Sequence, residues 1–404
     1  MNVLQFKEFL DNRGIKKLLE ELKNGEVKAY DLIEQIISER KNNSGVDRNL
    51  TSLFYSQDTI RWGASYLDLT SLDLRRFSIE ELLRMKFSNL TKWPSKDKLP
   101  KGFDPEQIMD KAKKFKGLGI DDLHKKGING SGVTIAYIDT PFNIEHEEFN
   151  GLDTEYKTKF PEEIHFHGAC ASSRVVGQNL GISPRSKYLF YEYEYSTDNV
   201  LKNSIESILK HLRDIIKKAK NGQRIDVIGI SASPSYWIEK YIENENKAEG
   251  LKYQKAYVKL MDELEKRNIT FIDSEKFWDS GFTYAFMENP SKDLNDKDNW
   301  LTILKPNAVA VTEAGRCVPC AYDINNYRYE NDLGCASWSI PQVVGLFALA
   351  KQVYSDISYE EFVQLAHETA DKPNKNFVRL INSVELMRNV SLLKKNEHRK
   401  DDSE

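Results

Sequence analysis

The sequence predicts an α/β fold built on a mainly parallel central sheet and preceded by a mainly helical N-terminal region. Beyond about residue 105, short apolar runs alternate with amphipathic stretches of about ten or more residues, the signature of βαβ units. Strands in such units are covered by helices on both faces. Between the two regions, Trp93-Pro-Ser-Lys-Asp-Lys-Leu-Pro-Lys-Gly-Phe-Asp-Pro105 concentrates Pro, Lys and Gly. This is the best linker candidate in the chain.

In the N-terminal region, Lys7–Leu22 and Tyr30–Arg40 place apolar residues three and four apart, as amphipathic helices require. Leu-Asp-Leu occurs at residue 67 and again at residue 72. Two copies cannot bury a solenoid core, so this reads as coincidence or a single corner. Ser78-Ile-Glu-Glu is a capping box opening a further helix. The expected organisation is therefore a helical region over 1–95, a linker over 96–105, a main domain over 106–390 and a charged tail over 391–404.

In the main domain, Val133–Ile138, Tyr188–Tyr195, Ile225–Ile230, Ile269–Ile272 and Ala308–Val311 read as strands. Leu201–Lys218, Leu251–Arg267, Trp338–Val353 and Tyr359–Ala370 read as helices. The tail Lys394–Glu404 reads as solvated and disordered. Ligands on a parallel sheet gather at the carboxyl ends of its strands. Asp139, closing the run Val133–Ile138, is placed on that edge.

The composition, 40% hydrophobic and 30% charged, is that of a soluble globular chain. A formal charge of −4 argues against general affinity for nucleic acid. The longest apolar run, Val343–Ala350, is far too short for a bilayer span. Charge enters every turn of the first thirteen residues, unlike a signal peptide, so a cytoplasmic location and no membrane partner are expected. Four cysteines, Cys170, Cys317, Cys320 and Cys335, do not make a disulfide scaffold. Cys317-Val-Pro-Cys320 has C-x-x-C spacing, but no second pair completes a zinc site and no helix pattern follows. Free thiols are the favoured reading; no metal or cofactor is expected.

Three segments carry candidate chemistry: Gly132-Val-Thr-Ile-Ala-Tyr-Ile-Asp139, His167-Gly168-Ala, and Ser337-Trp-Ser-Ile-Pro341-Gln-Val-Val-Gly345. Singly, each has a plainer reading, as a turn aspartate, a structural histidine and a helix-capping serine. The Ser is taken to sit where a loop enters a helix, with Pro341 in the first turn.

Together, and in this order, they resemble the subtilisin-like serine proteases. The separations are 28 and 170 residues. Gly181-Ile-Ser-Pro184 resembles that family's G-V-A-P lead-in, Asp226-Val-Ile-Gly-Ile-Ser231 its D-V-I-N-M-S strand, and Arg379-Leu-Ile-Asn its Gly-x-Ile-Asn ending. Ser337–Pro341 and Leu99–Phe103 are similar to a bacterial subgroup with a Ser-Trp-Ser-Ile-Pro motif. The resemblance spans roughly residues 105–390 and implies a three-layer subtilisin-like fold. It also implies a catalytic triad of Asp139, His167 and Ser337 acting on protein or peptide substrates. Substrate backbone would pair with Ser231, Ala232 and Ser233.

The family's oxyanion-hole asparagine has no counterpart after Ile269–Ile272, where Asp273-Ser-Glu follows. Asn289, Ser274 or the Ser337 amide are the candidate substitutes, and the acidic Asp273/Glu275 pair would not help an oxyanion. Two readings follow: a serine endopeptidase, slow or regulated, or a pseudoprotease that binds or regulates. The N-terminal region reads either as a module for a regulatory partner or as a unit packed on the main domain.

Overall fold

A computed structural model describes residues 67–83, 87–157, 166–193, 199–289, 291–302, 307–312, 317–319, 325–329 and 336–401. The helices expected at Lys7–Leu22 and Tyr30–Arg40 lie outside them.

The main sheet has four parallel strands in the order β3-β2-β4-β5: β2 Thr134–Asp139, β3 Lys187–Glu192, β4 Val227–Ile230 and β5 Thr270–Ile272. A second sheet has the order β11-β8-β6-β7, with β6 Phe282–Met287, β7 Trp300–Leu301, β8 Val309–Thr312 and β11 Arg379–Leu380. There β7 alone runs antiparallel.

Side-chain alternation along β2 sorts the helices into layers. Ile135 and Tyr137 join the core formed with α4 Phe166–Val176 and α9 Ala336–Val353. Ala136 and Ile138 join the opposite core, with α5 Val200–Lys220 and α7 Lys247–Glu265. The result is three layers, helices on both faces of a parallel sheet, as the alternating pattern predicted.

The remaining α-helices among the described residues are α1 Ile79–Leu83, α2 Pro105–Ala112, α3 Ile120–Lys125, α6 Pro234–Asn244, α8 Ser274–Asp279, α10 Tyr359–Thr369 and α11 Ser383–Asp401. The expected capping box at α1 is present: Glu81 N–H donates to Ser78 Oγ at 3.1 Å, and Ser78 N–H donates to the Glu81 carboxylate at 2.8 Å. Several expectations about the fold need correction or qualification. Of the region expected to be mainly helical, residues 67–83 and 87–95 hold one helical stretch, α1, beside turns and the short β1 Phe87–Ser88. The stretch read as a linker, 96–105, is packed, with Leu99 and Phe103 buried in one cluster with Leu69, Leu74, Tyr327 and Tyr329. Apolar side chains at those positions outweigh the Pro-Lys-Gly composition around them. The charged tail continues as α11 to Asp401, because Lys, Arg and Glu are good helix formers. Finally, α7 begins at Lys247, before the periodic pattern does, because Asn246 caps it by accepting from Glu249 N–H.

A third sheet, β1-β10-β9, pairs β1 with β10 Tyr327–Tyr329 and β10 with β9 Cys317–Pro319, all antiparallel. It joins the chain before residue 96 to the segment leading toward Ser337. Of the cysteines, Cys170 is buried in α4 and Cys317 lies in β9, while Cys320 and Cys335 fall outside the described residues.

Candidate active site

Asp139 is the last residue of β2, in register with Ile135 and Tyr137, so its carboxylate faces α4. It is 1% exposed. Its Oδ1 accepts from Thr140 N–H at 2.7 Å and from Thr140 Oγ at 3.2 Å. It also meets His167 Nδ1 at 2.7 Å. A carboxylate only accepts, so Nδ1 carries the proton and the neutral ring has its lone pair on Nε2. Burial pushes the His167 pKa down, but the Asp139 charge and hydrogen bond together push it up, and the net direction is upward.

The register between β2 and α4 is set by Thr140 and Gly168. Thr140 Oγ accepts from Gly168 N–H at 2.9 Å while donating to Asp139. A Cβ on residue 168 would lie 2.0 Å from the Thr140 carbonyl oxygen, so only glycine lets α4 approach this closely. Gly168→Ala is expected to cost about 1–3 kcal/mol of stability and to displace His167. A thermal melt that matches the wild type within a degree would contradict this.

Ser337 is the second residue of α9, half-buried at its N-terminus. The next residue, Trp338, packs its indole against the His167 ring with centroids 5.0 Å apart. Phe166 flanks both rings at 6.4 Å. His167 thus lies between Asp139 and the helix end that carries Ser337. The sequence expected Pro341 in the first turn, yet it stands inside the helix. The helix starts at Ala336, ahead of the Trp338 start read from the sequence.

The segment expected to receive substrate is a bend, not an extended edge, because Ser233 caps α6 ahead of Pro234. Ser231 Oγ donates to the Ser337 carbonyl at 3.1 Å, and the Ala232 carbonyl accepts from Ser274 N–H at 3.0 Å. Ser233 Oγ accepts from Tyr236 N–H at 3.1 Å.

After β5, where an asparagine was missing, Asp273 caps α8 by accepting from Lys276 N–H at 2.8 Å. Burial raises the Asp273 carboxyl to about 6. Glu275 accepts from Ser235 Oγ at 2.5 Å. Of the substitutes considered, Ser274 is brought beside Ala232, while Asn289 is fastened into the connection from β6 to β7. There Asn289 N–H donates to the Asn299 side chain at 2.9 Å, and Asn289 Oδ1 accepts from Ser291.

Three contributors went unseen in the sequence. Thr140 bridges Asp139 to α4, and its place directly after Asp139 was the available signal. Tyr137 shares a hydrogen bond with Ser231, their oxygens 2.7 Å apart, and nothing in a buried strand's apolar pattern marks that contact. Glu148 is fully buried beyond the end of β2. It accepts from Asn179 and Leu180 N–H at 3.0 and 2.7 Å and from the Tyr327 hydroxyl at 2.8 Å. It thereby ties the loop after α4 to β10; burial raises its pKa against these hydrogen bonds.

Among the described residues no helix is long and apolar enough to cross a membrane. No family model matches the chain, and no curated protein matches it. Solved structures do. The structure of prenylagaramide maturation protease PagA is 14% identical, with 67% of this chain and 98% of that chain covered and a TM-score of 0.43. The PatG macrocyclase domain is 13% identical, covering 67% and 94%, with a TM-score of 0.42. The self-cleaved protease domain of PatA is 15% identical, covering 65% and 98%, with a TM-score of 0.41.

Proposed function

We propose that the chain is a subtilisin-like serine endopeptidase with Asp139, His167 and Ser337 as its triad. The observation that carries this reading is the buried Asp139 carboxylate accepting His167 Nδ1–H at 2.7 Å, beside the helix N-terminus that bears Ser337. A serine hydroxyl needs an adjacent base at neutral pH. Nε2 of His167 takes the Ser337 proton as Oγ attacks the peptide carbonyl carbon. The C–N bond then breaks, the amine leaves with that proton, and water hydrolyses the ester by the reverse use of the same base. Asp139 holds the tautomer and stabilises the imidazolium. Substrate backbone is expected to run past the bend Ser231–Ser233 rather than to extend a sheet edge there.

The oxyanion is met by Ser337 N–H, at a helix end where the dipole favours negative charge. One missing side-chain donor lowers turnover by about 10²–10³-fold. The helix capped by Asp273, standing where that donor is expected, favours a second reading: a pseudoprotease that binds or regulates.

A fluorophosphonate probe separates the two. Peptide mapping is expected to find one adduct, on Ser337, formed with loss of fluoride. A folded chain that takes up no probe at Ser337 would favour the binding protein.

A further inference from the structure

We propose that Tyr137 and Ser231 are positioning residues that hold Ser337 through its own carbonyl; this rests on the peptidase reading above. In an α-helix the carbonyl of residue 337 is met by the N–H of residue 341. Residue 341 is proline, inside the helix, and has no N–H. The Ser-x-x-x-Pro spacing therefore removes the helix's own donor from the carbonyl of the proposed nucleophile. Ser231 supplies the missing one, its Oγ donating to the Ser337 carbonyl at 3.1 Å.

A serine hydroxyl has one proton and can rotate. Tyr137 removes that freedom. Its hydroxyl lies 2.7 Å from Ser231 Oγ, and Ser231 has already committed its proton to Ser337, so Tyr137 is the donor. Tyr137 is fully buried, and burial keeps it a neutral phenol with a proton to give. The ring fits because its partner on β4 is Gly229: a Cβ there would come within 2.5 Å of the Tyr137 ring and 2.8 Å of Val344 on α9.

The chain Tyr137–Ser231–Ser337 thus begins on β2, two residues before Asp139, and runs through the end of β4. The strand that places the acid also orients the peptide plane after the nucleophile. That plane sets where Trp338 meets His167.

The test uses the full chain and the variants Tyr137→Phe, Ser231→Ala and Ser231→Thr, the last keeping a hydroxyl. Measured quantities are kcat and KM on a peptide substrate, the second-order rate of fluorophosphonate labelling, and amide exchange of peptides covering 336–345. Tyr137→Phe and Ser231→Ala are expected to lower kcat and labelling rate by up to about 10²-fold with KM nearly unchanged, as for a misplaced reacting group. Faster exchange at the start of α9 is expected in both, and recovery of all three readouts in Ser231→Thr. Unchanged kcat, labelling and exchange in Ser231→Ala, or a Thr variant as impaired as the Ala variant, overturns the positioning role. A wild-type chain that does not label overturns the peptidase reading instead, and exchange then still reports whether the hydroxyl chain holds the helix start.

Discussion

Replacing Ser337 by alanine is expected to lower peptide hydrolysis by about six orders of magnitude and to abolish fluorophosphonate labelling. The magnitude follows from the way such a site works. The hydroxyl is the atom that becomes the acyl carrier, so without it only binding and oxyanion stabilisation remain. Ser337 is half-buried at a helix end and the change removes only its hydroxyl, so the fold should tolerate it, with a thermal midpoint close to wild type. The sharper expectation is non-additivity. His167→Ala should cost about as much as Ser337→Ala, and the double variant should fall no further, because base and nucleophile act in one proton transfer. Additive losses would mean that the two residues act independently and would sink the triad assignment. Rates on an activated ester and on a peptide substrate, measured for all four proteins, decide this.

Asp139→Asn is the second large effect, about 10⁴-fold in kcat. The amide is nearly isosteric, so the packing of β2 against α4 should persist. What changes is electrostatic. A carboxylate accepts the Nδ1 proton of His167 and stabilises the ring as it becomes cationic; an amide can present an N–H there and favour the wrong tautomer. The pH profile supplies a separate check. His167 must be neutral to act as base, so activity falls as pH drops through its pKa, which in the wild type lies above the ordinary 6.5. Burial pulls that pKa down and Asp139 pulls it up. With the charge removed, only the downward influence remains, and the acid limb of the residual activity should move to lower pH. A limb that stays in place or rises, or a loss below tenfold, would separate Asp139 from His167 function.

Much of this site was legible from residue order alone. The apolar run before Asp139 marked a buried strand, and a strand of a parallel sheet must deliver its last residue to the carboxyl edge. His167-Gly168 was legible as a pair, and the structure gives the reason: the glycine lets α4 touch Thr140. The segment Ser231–Ser233, expected as an extended edge, is instead a bend. Pro234 and the Ser233 cap start a helix at once, so the side chain of Ser231 turns toward Ser337. Local composition also misled at residues 96–105 and in the tail. There, the burial of Leu99 and Phe103 and the helix propensity of α11 decided the outcome.

The sequence by itself determined the α/β class and the order of strands and helices beyond residue 105, and it pointed to the three residues proposed as the triad. Periodicity and chain order carry that information, since each element's buried face is written locally. Only the tertiary structure decided what those residues touch. The 2.7 Å contact between Asp139 and His167 spans 28 residues. Ser231 lies 106 residues from the carbonyl that Pro341 leaves without a helical donor. Hydrogen bonds of that reach depend on how strands and helices stack, and no local pattern records them.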